Sequence, residues 1–247
     1  MKLLGSDFDG TLNHHGIDEE KLQAIRDWRA AGNKFGVVSG RGPGFEKELA
    51  EKLGDQFDFL ISCNGGIIAL PDGTPLHAVR CETLDIEEFC RDLYEWGGTL
   101  VYFLDHRYFT IGCHEDIPEK YDYLLTELPP ITYFYKLCMD LKSPEKAREV
   151  ADKIRAKYGD QVYAMQNWGM IDIAPAGVNK ASGLRWLAAH YGIAEEDIIT
   201  VGDYDNDADM IREFRSYAME NGCDYIKGLA DFTTPSVTDL IRREMEL

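Results

Sequence analysis

Along the chain, short apolar runs alternate with longer segments in which apolar residues recur every three or four positions. Lys2-Leu3-Leu4-Gly5-Ser6 is the first short run, and it ends in Asp7-Phe8-Asp9-Gly10-Thr11-Leu12. A helical period follows from Ile17-Asp18 through Leu22, Ile25 and Trp28 to Gly32. Lys34 to Val38 reads as a second strand, running into Ser39-Gly40-Arg41-Gly42-Pro43-Gly44. Pro43 suits the first turn of the next helix, which carries Phe45, Leu49 and Leu53. Phe59 to Ser62 is a third strand, and Ile67–Leu70 and Pro75–Val79 around Pro71-Asp72-Gly73 form a hairpin. This β-α-β-α-β order predicts a parallel sheet with right-handed crossovers.

Near residue 80 the pattern changes. Residues 85–97 predict a helix with Ile86, Phe89, Leu93 and Trp96 on one face. Leu100–Leu104 and Tyr108–Cys113 predict strands, Ile117–Leu128 a helix, and Ile131–Leu141 a strand. Pro144–Tyr158 predicts a helix, and Val162–Ala164 and Met170–Ile173 strands. Paired strands among helices describe an α+β insert, left through an expected hinge at Ala174-Pro175-Ala176-Gly177. From Lys180 the first pattern returns. A helix passes through Leu184, Leu187 and Tyr191, and Ile198–Val201 is a strand. Asn206–Phe214 predicts a helix, Tyr217–Met219 a strand, and Ser236–Met245 a last helix. The expected domains are 1–79 and 178–247 as one α/β core, with 80–177 inserted.

Composition narrows what such a chain can do. Its 247 residues suffice for a sizeable core. A formal net charge of -18 argues against a nucleic-acid backbone as partner, and an anionic substrate would need a locally positive site. The N-terminus meets Asp7 too early for a signal peptide's apolar core, and no run approaches a membrane span. Six scattered cysteines without metal-finger spacing predict buried thiols in a reducing cytoplasm.

The chemistry-bearing residues gather where strands end, the edge at which open α/β sheets bind ligands. In extended geometry Asp7 and Asp9 would face one small volume, a repulsion that a shared cation relieves. Gly202-Asp203-Tyr204-Asp205-Asn206-Asp207 is a second acidic cluster after a strand. It fails as an EF-hand loop, with Ala208 and Phe214 where Gly and Glu are required. Ser39 and Gly40 offer a hydroxyl and an unhindered N–H to a phosphate oxygen. The Gly40–Gly44 segment fails as a dinucleotide loop, with Phe45 where its last glycine belongs. Taken singly, Ser39 reads as a turn residue and Lys180 as a solvated lysine.

Together these four segments resemble the haloacid dehalogenase superfamily of phosphatases. Asp7–Leu12 is similar to its first motif, Val37-Val38-Ser39-Gly40-Arg41 to its second, Lys180 to its third and Gly202–Asp207 to its fourth. Ala218-Met219-Glu220-Asn221-Gly222 resembles a segment of the Cof-type subfamily, and the insert stands where that subfamily (IIB) carries a C2B cap. The family's usual Asp/Glu-Gly-Val ending is absent after Asp231-Phe232-Thr233-Thr234. The resemblance implies a Rossmann-like core with an inserted α+β cap, acting as a cytoplasmic monomer or homodimer on a small phosphorylated metabolite. It implies Asp7 as nucleophile and Asp9 as acid and base, through an aspartyl-phosphate. Mg²⁺ would be held by Asp7, the Asp9 carbonyl and Asp203, with Asn206 and Asp207 supporting. Ser39, Gly40 and Lys180 would bind phosphate. A phosphomutase of the same architecture shares all four motifs. A receiver-type phospho-switch lacks Asp9 and the insert, and a D-x-D glycosyltransferase lacks its nucleotide-sugar domain here. The sequence leaves the substrate open: His106, Arg107, His114, Lys136 and Trp168 of the insert are candidates to reach it, against an exposed face or core packing as the blander reading of each, and Arg41 reads equally as a helix-cap salt bridge or a contact to an anionic substrate.

Overall fold

The computed structural model describes residues 1–97, 99–104, 107–111, 120–123 and 132–246. The chain divides into two compact units, Met1–His77 with Asn179–Leu247, and Ala78–Val178. No helix among the described residues is long and apolar enough to cross a membrane.

The first unit is built on β1 (Leu3–Ser6), α1 (Glu19–Ala30), β2 (Lys34–Val38), α2 (Phe45–Leu53), β3 (Phe59–Ser62), β4 (Ile67–Ala69) and β5 (Pro75–Ala78). Its second stretch of chain adds α5 (Lys180–Tyr191), β12 (Ile198–Gly202), α6 (Ala208–Glu213), β13 (Arg215–Met219), α7 (Asp224–Leu229), β14 (Phe232–Thr234) and α8 (Val237–Met245). The sheet order is β14-β13-β12-β1-β2-β3-β4-β5, parallel from β14 to β3, with β4 turning back antiparallel on β3. The chain winds from β1 to β2 and β3 on one side, then to β12 and beyond on the other. β1 is therefore the switch point, and its carboxyl end is where such sheets form a crevice.

Alternation along the strands sorts the two cores. Leu4, Val37 and Ile199 face α1, α2 and α8 with Trp28, Leu49 and Leu240. Leu3, Phe59 and Ile198 face α5 and α6 with Leu184, Leu187 and Met210. Local signals set the helix starts: the Asp18 carboxylate accepts from the Lys21 N–H at 2.9 Å, and Asn179 and Ser182 form a reciprocal capping box. Pro43 lies outside α2, contrary to the sequence expectation, because Gly44 at φ 94° breaks the run and the helix opens at Phe45. Asp205–Asp207 is a separate 3₁₀ turn before α6. α7 and β14 escape sequence reading because six and three residues are too few to show a period.

The second unit carries α3 (Ile86–Glu95), β6 (Thr99–Leu104), β7 (Arg107–Ile111), β8 (Lys120–Tyr123), β9 (Lys136–Asp140), α4 (Pro144–Tyr158), β10 (Val162–Asn167) and β11 (Met170–Pro175). Its strands run in the order β10-β11-β9-β6-β7-β8, with α3 and α4 packed through Phe89, Leu93, Val150 and Ile154 against Leu137, Met139, Ile171 and Ile173. Residues 120–123 pair in parallel with β7, so a helix over 117–128 is wrong there, where pairing overrides the helical period. β9 begins only at Lys136, and Phe134 bridges Cys81 instead. Ala174 and Pro175 belong to β11, so the irregular backbone is shorter than the expected hinge. Cys63, Cys81, Cys90 and Cys138 are buried, Cys223 is half-buried, and Cys113 lies outside the described residues.

Candidate active site

Everything at the site starts from the end of β1. The Asp7 N–H donates to the Val201 carbonyl at 2.9 Å, fastening β1 to β12 just beyond their last ladder pair. Asp9 (φ -77°, ψ 120°) and Gly10 (φ 81°, ψ -12°) then take the two central conformations of a type II turn. Positive φ calls for glycine at residue 10, and so does space: a Cβ there would lie 2.4 Å from Asp203 Oδ2. Leu12 N–H reaches back to the Asp7 carbonyl at 3.2 Å and Asn13 N–H to Phe8 at 2.9 Å, closing one wide turn of π type. The Asn221 amide secures it from outside by donating to the Gly10 carbonyl at 2.9 Å.

The two carboxylates of this turn differ in their surroundings. Asp7 is buried, whereas the Asp9 side chain is 56% exposed and paired with Arg41. The strand has already ended at Ser6, so the two-residue period no longer applies.

Beside Asp7 the second acidic cluster arrives on the end of β12, and Lys180 arrives on the first turn of α5. The Lys180 ammonium is fully buried and donates to Asp7 Oδ1 at 2.6 Å and Asp207 Oδ1 at 2.5 Å. Asp207 Oδ2 accepts the backbone N–H groups of Asp203 (2.9 Å) and Tyr204 (3.1 Å), so both its oxygens are committed. Thr11 donates to Asp203 Oδ1 at 2.6 Å. Asn206 is half-buried in the intervening 3₁₀ turn.

Charge is unbalanced here. Burial pushes the Asp7 carboxyl well above the usual range, Asp207 pushes it further, and Lys180 only partly offsets them. Burial likewise raises Asp203, to about 6, against the Thr11 hydrogen bond that lowers it. For Lys180 burial works downward, but Asp207 and Asp7 outweigh it and hold the ammonium above its ordinary value. Carboxylates crowded at one point repel one another, and a shared proton or a cation between them relieves that repulsion. Oxygens of Asp7, Asp203 and Asp207 all lie within 4.8 Å of one another. Three carboxylates against one ammonium, all hard oxygen donors, fit a divalent cation. With Asp207 engaged by Lys180 and two N–H groups, Asp7 and Asp203 are the side chains with room for it.

Ser39 and Gly40 follow β2, the strand next to β1. Ser39 is buried, its N–H donates to Ile61 at 2.8 Å, and its Oγ accepts from the Arg41 N–H at 3.1 Å. The loop after β3 locks onto this one: Cys63 N–H donates to the Arg41 carbonyl at 2.8 Å, and Asn64 N–H to Ser39 at 3.0 Å. Cys63, Asn64 and Gly65 all have positive φ, and a Cβ on Gly65 would fall 2.1 Å from the Asn179 carbonyl. Sequence reading passed over Thr11, Asn64 and Asn221. Thr11 and Asn221 lie inside quoted motifs, but their partners are 192 and 211 residues away.

In the second unit Lys136 is buried and paired with Asp172 at 2.7 Å. Trp168 is 64% exposed at the turn between β10 and β11, with φ 55°. Arg107 lies in β7, and His106 and His114 fall outside the described residues.

The site defines a class of protein: an α/β enzyme that gathers carboxylates and one buried lysine at the switch point. The sequence profile of the haloacid dehalogenase-like hydrolases matches residues 4–240, and the chain belongs to that family. It is 45% identical over 254 residues to the 5-amino-6-(5-phospho-D-ribitylamino)uracil phosphatase YitU of Bacillus subtilis, covering 94% of this chain and 91% of YitU. The fold is shared with SMU.1108c of Streptococcus mutans (TM-score 0.86, 22% identity, 100% of both chains). It is also shared with BT4131, described as a HAD subclass IIB sugar phosphatase (TM-score 0.82, 18% identity, 100% of both chains). The chain is thus a hydrolase of this family with phosphatase relatives, carrying the family's α/β core and an inserted α+β unit.

Proposed function

We propose that the protein is a Mg²⁺-dependent phosphatase that works through an aspartyl-phosphate at Asp7. The observation that carries this reading is the buried Lys180 held between Asp7 and Asp207. A nucleophilic carboxylate facing an anionic phosphate needs a fixed positive charge, and two charges at ~4 Å interact by roughly 4 kcal/mol at an effective dielectric near 20. Mg²⁺, when bound by Asp7, Asp203 and the Asp9 carbonyl, would supply further charge neutralisation.

The chain's own residues divide the work. Ser39, whose oxygen accepts from Arg41, has its hydroxyl hydrogen to give to a phosphate oxygen, with Gly40 and Lys180 as further donors. An Asp7 oxygen forms a bond to phosphorus as the bond to the leaving oxygen breaks, and a proton passes from Asp9 to that oxygen. Asp9 then takes a proton from the incoming water, whose oxygen bonds to phosphorus as the Asp7–phosphorus bond breaks. Asp207 keeps Lys180 and the Asp203 backbone in place. Residues 80–177 act as a cap that excludes water and selects the leaving group.

For the substrate, the relationship to YitU supports a ribityl phosphate carried on an aminouracil. The test is a panel of 5-amino-6-(5-phospho-D-ribitylamino)uracil, sugar phosphates, nucleoside monophosphates and vitamin phosphates, each with Mg²⁺ and with chelator. Highest kcat/KM for the aminouracil, lost in EDTA and restored by Mg²⁺, is expected. Full turnover after exhaustive chelation would overturn the metal assignment. Preference for another phosphate would overturn the substrate, and return of phosphate to the sugar would make it a mutase.

A further inference from the structure

Arg41 grips the Asp9 carboxylate with a two-pronged contact, Nε to Oδ2 at 2.8 Å and Nη2 to Oδ1 at 2.7 Å. Its remaining nitrogen, Nη1, is on Glu48. The guanidinium carbon lies 5.1 Å from the Phe8 ring centre and 4.8 Å from that of Phe45, and these two buried rings meet edge to face at 4.9 Å. Arg41 is thus pinned on three sides. Asp9 is the more exposed partner, its side chain 56% exposed against 36% for Arg41.

The same residue is tied through its backbone to the phosphate loop, by its N–H to Ser39 Oγ and its carbonyl to the Cys63 N–H. An isolated exposed ion pair has little energetic weight. A planar fork that meets both oxygens and is itself held by rings and a second carboxylate sets a direction as well as a charge.

We propose that Arg41 is the positioning residue for Asp9. A carboxyl that hands a proton to a leaving group needs one oxygen for that proton, so one of the two bonds to Arg41 opens. The other stays, and the carboxyl pivots on it toward the leaving oxygen. This rests on the phosphatase reading above, in which Asp9 is the acid and base. Glu48 in turn steadies the guanidinium, while Arg41 touches neither phosphorus nor the attacking oxygen.

The test compares wild type with Arg41→Leu, Arg41→Lys and Glu48→Gln on an alkyl phosphate and on p-nitrophenyl phosphate. Rapid-quench trapping measures phosphorylation of Asp7. The alkyl ester needs a proton on its leaving oxygen; the nitrophenolate does not. Arg41→Leu is expected to lower kcat on the alkyl ester about 100-fold with little change in KM, part of what an acid–base group contributes. Phosphoenzyme formation from p-nitrophenyl phosphate should stay close to wild type. Arg41→Lys should rescue little, since an ammonium lacks the fork. Glu48→Gln should shift the same ratio in the same direction by less, and it serves if the Arg41 variants do not fold. A raised KM at constant kcat would make Arg41 a substrate ligand and overturn the proposal. Equal loss of phosphorylation with both esters would reduce it to a loop support, and no change would reduce it to a surface ion pair. If wild type itself traps no phosphate on Asp7, the phosphatase mechanism fails instead.

Discussion

Lys180 and Asp7 stand 173 residues apart in the chain and 2.6 Å apart in the fold. Removing the ammonium leaves two buried carboxylates facing each other across its place. Lys180→Met should therefore abolish turnover and destabilise the protein by about 3–5 kcal/mol, the range for breaking a buried pair on one side. Adding Asp207→Asn should return part of that stability without returning activity, a non-additivity read from denaturant unfolding. Simple addition of the two losses would show that the three groups do not act together.

The two aspartates of the first turn should part company on substitution. Asp7→Asn removes nucleophile and metal ligand, so neither phosphoenzyme nor product is expected. Asp9→Asn keeps the backbone carbonyl and should bind Mg²⁺. With an aryl phosphate it should label Asp7 and then turn over slowly, for want of a base. Label trapped in Asp7→Asn, and none in Asp9→Asn, would reverse the roles.

Metal affinity should depend on pH. Asp203 titrates near 6 without metal, and Asp7 is raised as well. A proton and a cation compete for these oxygens, so Mg²⁺ binding should weaken as pH falls below about 6, by about tenfold per unit for each proton displaced. The stability sign is opposite to that of an ordinary salt-bridged aspartate. The folded, metal-free protein holds the proton more tightly than the unfolded chain, so Asp203 costs stability as pH rises from its unfolded value, about 3.9, through 6. Mg²⁺ should cancel that loss. Equilibrium dialysis between about pH 5 and 7 checks the first claim, and pH-dependent melting with and without metal the second; flat curves would sink both.

Gly10→Ala tests the turn. It places a side chain at φ 81° and 2.4 Å from Asp203 Oδ2. Strain of roughly 1–3 kcal/mol is expected, together with weaker Mg²⁺ binding as Asp203 is displaced. Metal affinity unchanged from wild type in a titration of the folded variant would show that Asp203 is not a ligand.

Away from the site, buried Glu244 accepts from Tyr217 at 2.5 Å, Arg215 at 2.7 Å and Lys2 at 3.2 Å, tying α8 to the start of β1 and to β13. Burial alone would raise its carboxyl, but these three donors hold it below the ordinary range. Its contribution is present above the unfolded value of about 4.3 and is lost as pH falls through the depressed folded value. Glu244→Gln should cost about 1.5–3 kcal/mol near pH 7. The gap to wild type should close in acid, as read by thermal melting at both pH values.

Much of this protein could be read from local pattern. Apolar periods of two and of three to four marked β1, α1, β2, α2, β3 and α5, because each buries one face or is buried throughout and leaves that fact in its own residues. The four motifs were likewise legible, since strand ends and the turns after them bear recognisable residues such as Asp7, Ser39 and Asp203. Short elements without a period, α7 and β14, were not, and pairing with β7 decided 120–123 against a helix. The partnerships were decided only in three dimensions. Asp9 stands in a type II turn that begins where β1 ends, and Arg41 meets its carboxylate from the next strand's loop. Lys180 reads as solvated until the fold buries it between two carboxylates. Local residue order determines which way a backbone turns; which charges then meet depends on strand order, and strand order is a property of the whole sheet.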